Sequence, residues 1–350
     1  MKKTILFLCA LLALFSAARA ETDGDCIYTL LNADGEVLTR RAGRMYEGDE
    51  YISGDNRHYR IAFVDDARCT ATAEDLGPSI PDQEAFAAFM SAQAAKKEDK
   101  KLICMYSTHS DESYVPSDGA SSLWEDAGIY DVGDALKENL EKKGITVEYS
   151  EKSFLPHDAD AYNRSRSTVE EYVKKAPDAI IDIHRDGVDA DEYETEVKGE
   201  DTSMVRLFVG RSNQNSAENK AFAQRLKAAA DKAYPGLIKD IYIGKGNYNQ
   251  ELYPQAILLE FGTHEIEKEK AISATEYMAD VIDDVLFGSA AATTGEKNTS
   301  AAKGIGWAIG IAIVGAAVYA MFSAGSIGGA WSKMKDGASE MTAGLFGKKK

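Results

Sequence analysis

The sequence predicts an α/β protein in which helices flank a mostly parallel sheet, with a small amino-terminal β module and a carboxyl-terminal transmembrane helix. Three short runs are continuously apolar, which is typical of strands buried on both faces of a parallel sheet. These runs cover residues 102–106, 179–183 and 256–259. Near the end of the chain, 29 residues without a charge (304–332) are long enough for a helix across a bilayer.

The first 20 residues are typical of a secretory signal peptide. They carry Lys2 and Lys3, a largely apolar stretch and then Ala-Arg-Ala at positions 18–20, the small-x-small pattern of a cleavage site. Residues 21–78 contain short alternating segments broken by Asp-Gly and Gly-Asp pairs, which predicts the small β module. Residues 79–100 are predicted to be a linker with an Ala-rich helix.

The second domain, residues 101–288, alternates apolar strands with amphipathic helices. Its clearest predicted helices cover residues 132–143, 215–233 and 266–286. Further strands are predicted at residues 145–149, 204–209 and 238–243. Residues 289–303 are small and polar, and we expect them to form a tether to the membrane span.

The lysines around the predicted span indicate its orientation. The tail, residues 333–350, contains five lysines, whereas Lys297 and Lys303 precede the span. The more basic side normally stays in the cytoplasm. We therefore expect a single-pass protein at the cell membrane, with residues 101–288 outside the cytoplasm and the carboxyl terminus inside.

Charge and cysteine content exclude some functions. The net charge is −17, and loss of Lys2, Lys3 and Arg19 with the signal peptide would make it −17 − 3 = −20, which argues against a nucleic-acid partner. No cysteine pair has C-x-x-C spacing, which excludes a cysteine zinc site of that kind. Cys26 and Cys69 bracket the β module and could form a disulfide. Because three cysteines, an odd number, would remain after loss of the signal peptide, free thiols are equally compatible with the sequence.

Three residues with catalytic chemistry follow the apolar runs directly. His109 comes after the first run, His184 after the second and Glu260 after the third. Because ligands gather at the carboxyl ends of strands in open α/β sheets, we expect these side chains to converge at one edge. A single histidine in this position is more often a hydrogen-bonded structural residue, but the joint occurrence favours a metal site.

A second acidic residue completes the predicted ligand set. Glu112 lies three residues after His109, so that His109, Glu112 and His184 could hold Zn²⁺ and leave one position open for water. Two histidines and a carboxylate also accommodate other divalent ions. Glu260 closes an apolar run and is predicted to be the carboxylate that moves protons beside the metal.

Six ordered segments resemble the stage II sporulation protein P family of peptidoglycan hydrolases, over roughly residues 26–288. They are Thr-His-Ser-Asp-Glu-Ser-Tyr (108–114), Tyr-Asn-Arg-Ser-Arg (162–166), Ile-Asp-Ile-His-Arg-Asp (181–186), Phe-Val-Gly (208–210), Asn-Tyr-Asn-Gln (247–250) and Leu-Leu-Glu-Phe-Gly (258–262). The resemblance implies a zinc-amidase-like fold and a zinc-dependent N-acetylmuramoyl-L-alanine amidase, with an endopeptidase activity also attributed to the family. It also implies that His109 and His184 bind the metal and Glu260 is catalytic, and it aligns Glu112 with the acidic residue after the first histidine.

The chain departs from the family pattern at two places. Ser107 stands where the family usually has an outer histidine, and His264 with Glu265 stands near a position where the family tends to have asparagine. Any supporting role of the outer histidine is therefore lost or replaced, and His264 is either a substrate contact or a surface residue.

The predicted function is a membrane-anchored peptidoglycan hydrolase that cleaves the amide between N-acetylmuramic acid and L-alanine. Glu260 would move the proton from water to the leaving nitrogen, and Arg185, Arg166 and Asn249 are candidate substrate contacts. The expected partners are peptidoglycan, the membrane and a glycan-cleaving sporulation protein. The alternatives are a stem-peptide endopeptidase and a catalytically inactive wall-binding scaffold.

Overall fold

The computed structural model describes residues 26–79 and 101–288. The amino-terminal range contains β1 (Ile27–Leu31), β2 (Val37–Ala42), β3 (Glu50–Ile52), β4 (Arg57–Asp65) and β5 (Thr70–Pro78). The second range contains the strands β6 (Leu102–Tyr106), β7 (Thr146–Ser150), β8 (Ala179–Asp186), β9 (Glu194–Val197), β10 (Glu200–Ser203), β11 (Val205–Gly210), β12 (Ile238–Gly244) and β13 (Ala256–Thr263). Its helices are α1 (Val115–Asp118), α2 (Gly128–Glu141), α3 (Ala161–Val173), α4 (Ser216–Ala233) and α5 (Lys268–Phe287).

Eleven of these strands form one continuous sheet in the order β2-β1-β5-β4-β3-β12-β11-β13-β8-β6-β7. The strands β9 and β10 pair only with each other. The α/β class and the predicted helices and strands of the second domain are present. Their bounds shift by only a few residues, and Gly144, with a φ of 76°, follows the end of α2 where the chain turns into β7.

The prediction of a mostly parallel sheet is wrong, because the eleven-stranded sheet is mixed, with five antiparallel and five parallel pairings. The strands β6, β7, β8 and β13 are mutually parallel. However, β11 runs antiparallel to β13, and β3 joins β12 in antiparallel orientation. All the residues of β8, β11 and β13 are buried. A strand buried on both faces shows no alternation, so its apolar pattern carries no information about its direction.

The amino-terminal strands continue the main sheet and also cover one of its faces. Tyr28, Leu30 and Ile61 belong to a buried cluster that includes Phe208 of β11 and Tyr242 of β12. A disulfide joins Cys26 to Cys69, with the two Cα atoms 6.2 Å apart. The sequence is compatible with a disulfide or with free thiols, and the structure has the disulfide. Cys104 is buried within β6, as its apolar run predicts.

Helices cover the other face of the sheet at the main core. Leu136 of α2, Phe222 of α4 and Met278 of α5 are fully buried, and they share one cluster with strand residues such as Ile181 and Leu259. The helix α3 contributes to a smaller cluster with β6 and β8. The packing leaves the carboxyl ends of β6, β8 and β13 at one edge, where the candidate site lies.

The predicted single-pass localisation is corrected. Within residues 26–79 and 101–288, none of the helices combines the length and the apolar character that crossing a bilayer requires. On this finding the predicted single-pass architecture is not retained. The predicted signal peptide (1–20), linker (80–100), tether (289–303), span (304–332) and basic tail (333–350) lie outside the described residues.

The shared cluster predicts that the amino-terminal strands unfold together with the rest of the sheet. Replacing Leu30, which is fully buried, by alanine should lower the free energy of unfolding by about 2–5 kcal/mol, because it removes apolar contacts and leaves a cavity. The measurement is chemical denaturation followed by far-UV circular dichroism. Val37→Ala, on the same edge but half exposed, is the matched control and should change the value by less than about 0.5 kcal/mol. A Leu30→Ala protein that unfolds in two separate transitions would contradict the single unit.

Candidate metal centre and active site

The candidate site lies where three parallel strands end side by side. In the order β13-β8-β6, His184 lies on β8, Glu260 is its register partner on β13, and His109 follows β6 by three residues. All three side chains are buried. The structure therefore brings together the residues that the apolar runs single out.

The carboxylate of Glu112 lies between the two histidines. Its Oε1 atom is 3.1 Å from Nδ1 of His109 and 3.2 Å from Nδ1 of His184. Its Oε2 atom accepts a hydrogen bond of 2.9 Å from the backbone N–H of Arg185. Ligands of a tetrahedral zinc ion at about 2.0–2.2 Å are themselves roughly 3.3–3.5 Å apart. The distances from the carboxylate oxygen to the two nitrogens are thus slightly shorter than the spacing of ligands around one zinc ion.

His157 adds a fourth donor that the sequence analysis missed. Donor atoms of His109, Glu112 and His157 all lie within 4.8 Å of one another, and the rings of His109 and His157 stack at 4.0 Å. Nδ1 of His157 is 3.0 Å from Oδ1 of Asp111. Nε2 of His109 and Nε2 of His157 are buried with no hydrogen-bond partner among the described residues. Unpaired buried nitrogens are costly, and a bound cation would satisfy them.

A signal for His157 exists in the sequence, although it is weak. His157 follows the end of β7 by seven residues, and β7 is parallel to β6. Its loop therefore reaches the same edge of the sheet as the loop that carries His109. Because several residues separate His157 from the strand, the pattern of an apolar run followed at once by a polar residue does not reveal it.

Electrostatics holds His109 and Glu112 in the protonation states that bind metals. Burial, reinforced by the neighbouring His157, lowers the pKa of His109 to about 4, so its imidazole is neutral near pH 7. Burial alone would raise the pKa of Glu112, but His184, His109 and Arg185 hold it well below its usual value. An ionised carboxylate beside a neutral imidazole is a suitable pair of ligands for a divalent cation.

A second carboxylate lies beside His184. Asp182 Oδ1 is 3.0 Å from Nε2 of His184, although this nitrogen has no hydrogen-bond partner among the described residues, and Nδ1 faces Glu112. Thr108 holds Asp182 in turn, through its backbone N–H at 2.8 Å and its hydroxyl at 2.7 Å. Burial opposes a charge on His184, but Asp182 and Glu112 raise its pKa well above the usual value. Outer carboxylates of this kind set the orientation of metal-binding histidines.

Glu260 is buried beside this cluster and has a different environment. Burial and the nearby charge of Asp186 raise its pKa to about 8. The hydroxyl of Tyr193 lies 3.1 Å from Glu260 Oε2. A carboxyl group that can hold a proton near neutral pH is suited to general acid–base chemistry.

The three candidate substrate contacts are engaged within the protein. Arg185 donates to the carbonyls of Ser113 (3.3 Å) and Ser121 (2.7 Å). Arg166 pairs with Glu251, and Nδ2 of Asn249 donates to the carbonyl of Tyr162 and to the hydroxyl of Ser165. Arg166 of α3 and Asn249, between β12 and β13, lie next to each other, with Arg166 Nη1 3.5 Å from Asn249 Oδ1.

The two departures from the family pattern also have defined positions. Ser107 is fully buried, and its hydroxyl lies 3.3 Å from that of Tyr149. His264 comes after β13, and its Nε2 atom is 3.9 Å from Glu265 Oε1. Neither residue belongs to the group of donors around Glu112.

Solved amidase structures show a distant likeness to this chain. N-acetylmuramyl-L-alanine amidase Ami1 from Mycobacterium smegmatis is 12% identical, with a TM-score of 0.36, over 54% of this chain and 97% of its own. An N-acetylmuramoyl-L-alanine amidase from Clostridium difficile 630 is 14% identical, with a TM-score of 0.36, over 57% of this chain and 100% of its own. The CwlD amidase from Clostridioides difficile, solved in complex with the GerS lipoprotein, is 15% identical, with a TM-score of 0.36, over 52% of this chain and 94% of its own.

Sequence comparison gives a closer relationship. Stage II sporulation protein P of Bacillus subtilis (strain 168) is 32% identical over 209 residues, which cover 54% of this chain and 52% of the relative. The chain thus spans about half the length of the curated relative that it matches. The family model for Stage II sporulation protein P (SpoIIP) matches residues 53–283, more than half of the chain and all the residues of the candidate site. The chain therefore belongs to the Stage II sporulation protein P family.

Proposed function

We propose that this protein is a peptidoglycan hydrolase that cleaves the amide between N-acetylmuramic acid and L-alanine. Its zinc ligands would be His109, Glu112 and His184, and Glu260 would be the general base. The observation that supports this proposal best is the approach of two histidine Nδ1 atoms to one carboxylate oxygen, at 3.1 and 3.2 Å. Membership of the SpoIIP family supports the same class of substrate.

The donor set fits a zinc ion and divides the work among the residues. Zinc, when bound, would lower the pKa of water and polarise the scissile carbonyl. Glu112 and His109 supply an ionised oxygen and a neutral nitrogen, and Asp182 keeps the His184 ring turned toward them. Glu260, whose pKa is about 8 in the absence of a metal, takes a proton from the attacking water and returns it to the departing L-alanine nitrogen.

His157 raises the question of which histidines hold the metal. Catalytic zinc sites usually have three protein ligands and one open position. We assign His184 to the ligand set because its Nδ1 atom is only 3.2 Å from Glu112 and its other nitrogen is next to Asp182. His157 then stands beside the set, stacked on His109 and oriented by Asp111.

The products of hydrolysis test the proposed bond. Purified protein incubated with peptidoglycan should release stem peptides that carry a new free amino-terminal L-alanine, detected by mass spectrometry. A chelator should abolish the release, and added Zn²⁺ should restore it. Fragments cut within the stem peptide would instead favour the endopeptidase. Intact peptidoglycan with metal-loaded protein would favour a binding scaffold.

Replacing the proposed base should separate catalysis from metal binding. Glu260→Gln keeps the size of the side chain but removes the group that accepts a proton, so the hydrolysis rate should fall by roughly 100- to 10,000-fold. Zinc content, measured by mass spectrometry of the metal, should stay at the wild-type level. Glu276→Gln, at an exposed position on α5, is the control and should leave both quantities unchanged. Loss of zinc from Glu260→Gln would mean that Glu260 is a ligand.

Single alanine substitutions should distinguish the two candidate ligand sets. His184→Ala should lose bound zinc and activity together, because it removes a donor 3.2 Å from Glu112. His157→Ala should retain most of the zinc, since it leaves His109, Glu112 and His184 in place. Metal titration with a competing chelator measures both affinities. The opposite result, a larger loss for His157→Ala, would show that His157 replaces His184 in the ligand set.

A further inference from the structure

A buried tyrosine hydroxyl lies between Glu260 and another carboxylate. Tyr193 is fully buried, and its hydroxyl oxygen is 3.1 Å from Glu260 Oε2 and 3.0 Å from Asp186 Oδ2. The backbone of Tyr193 makes two hydrogen bonds. Its N–H donates to the carbonyl of Ala190, and its carbonyl accepts from the N–H of Met204. The side chain is therefore in a fixed position next to the proposed base.

The hydroxyl proton is available to Glu260 because Asp186 has other partners. Arg206 donates to Asp186 Oδ2 at 2.7 Å. The backbone N–H groups of Ala42 and Gly187 donate to Oδ1 at 3.2 and 2.7 Å. Burial raises the pKa of Tyr193 well above its usual value, and the nearby acidic groups add to this effect although Arg206 opposes it, so the hydroxyl keeps its proton. Asp186 accepts three hydrogen bonds from other donors, so the hydroxyl proton of Tyr193 can bond to Glu260.

The amino-terminal part of the chain completes this support. Arg206 also binds Asp240, with Nε 2.7 Å from Oδ1. Its Nη2 atom donates to the hydroxyl of Thr39 at 2.8 Å and to the carbonyl of Arg40 at 2.9 Å, both on β2. The backbone N–H of Ala42, also on β2, reaches Asp186. The strand β2 thus contacts both members of the Arg206–Asp186 pair.

We propose that Tyr193 is the positioning residue of Glu260, and that β2 holds this arrangement in place through Arg206 and Asp186. The inference rests on the proposed function, in which Glu260 moves the proton. It adds to that function Tyr193, which lies outside the six segments that resemble the family, and it gives the amino-terminal strands a role.

The geometry allows Tyr193 to serve both forms of Glu260. When Glu260 is ionised, the tyrosine can donate its proton to Oε2. After Glu260 has taken a proton from water, it can donate to the tyrosine oxygen while the tyrosine proton turns to Asp186. The hydroxyl rotates and keeps its proton throughout, so the carboxyl group stays in one place over the cycle.

Removal of one oxygen atom tests the proposal. In Tyr193→Phe, kcat on a soluble muramoyl-peptide should fall by roughly 10- to 100-fold, because Glu260 loses a hydrogen bond to its charged form. KM and zinc content should change less than twofold, since neither the ligands nor the candidate substrate contacts are touched. The melting temperature of the folded protein is measured on the same samples.

A second tyrosine controls for the loss of a hydroxyl that is hydrogen-bonded to a carboxylate. Tyr277 is also nearly buried, and its hydroxyl lies 2.9 Å from Glu200 Oε2, in the contact between α5 and β10. Tyr277→Phe removes the same atom and should leave kcat unchanged. A wild-type kcat in folded Tyr193→Phe would overturn the proposal while leaving the proposed function intact. Wild-type protein that does not hydrolyse the substrate would overturn the proposed function, and the inference with it.

A second variant decides the matter if Tyr193→Phe does not fold. Thr39→Val keeps the shape of the β2 side chain but removes the hydroxyl that contacts Arg206 and Asp240. We expect a severalfold lower kcat with unchanged KM and zinc content. Full activity of folded Thr39→Val would remove β2 from the support of Glu260.

Discussion

The neutralisation of charges buried at one edge of the sheet is the constraint on which the rest of the structure depends. Arg206, Asp186 and Asp240 are all fully inaccessible to solvent. An isolated ion in such a place costs several kcal/mol, so each of these charges has to arrive with its partner. Arg206 provides this partner for both carboxylates, through contacts of 2.7 Å. The strands that carry the three residues are held together by electrostatics as well as by the sheet.

Strand direction determines where that cation lies. The strand β11 is antiparallel to β13, and this pairing puts Arg206 directly opposite Glu260. If β11 ran parallel to β13, the carboxyl end of β11 would lie at the edge with the site. Arg206, near the beginning of β11, would then lie at the opposite edge of the sheet. The same direction in β12 brings Asp240 beside Arg206. The reversal within the sheet thus gives the site a buried cation, while β6, β8 and β13 position the candidate metal donors and the proposed base.

Sequence reasoning could find the donors but could not find what surrounds them. His109, His184 and Glu260 are visible because each is a polar residue at the end of an apolar run. The direction of β11 is invisible, since all its residues are buried and no alternation remains. The joining strand β3 has only three residues, too few for a periodic signal, so the amino-terminal strands seemed to be a separate module. Tyr193 follows a short 3-10 turn, where no periodic pattern predicts what its side chain contacts.

The contribution of β2 shows why comparison of sequences can also miss residues that support the site. The family match begins at residue 53, after β2, although β2 contacts both Asp186 and Arg206. Two of its contacts use backbone atoms, the carbonyl of Arg40 and the N–H of Ala42, which almost any residue can supply. The hydroxyl of Thr39 and the charge of Arg41, which lowers the pKa of Asp186, depend on the side chain. A strand can therefore support a catalytic residue through its position in the sheet while its sequence carries little trace of that role.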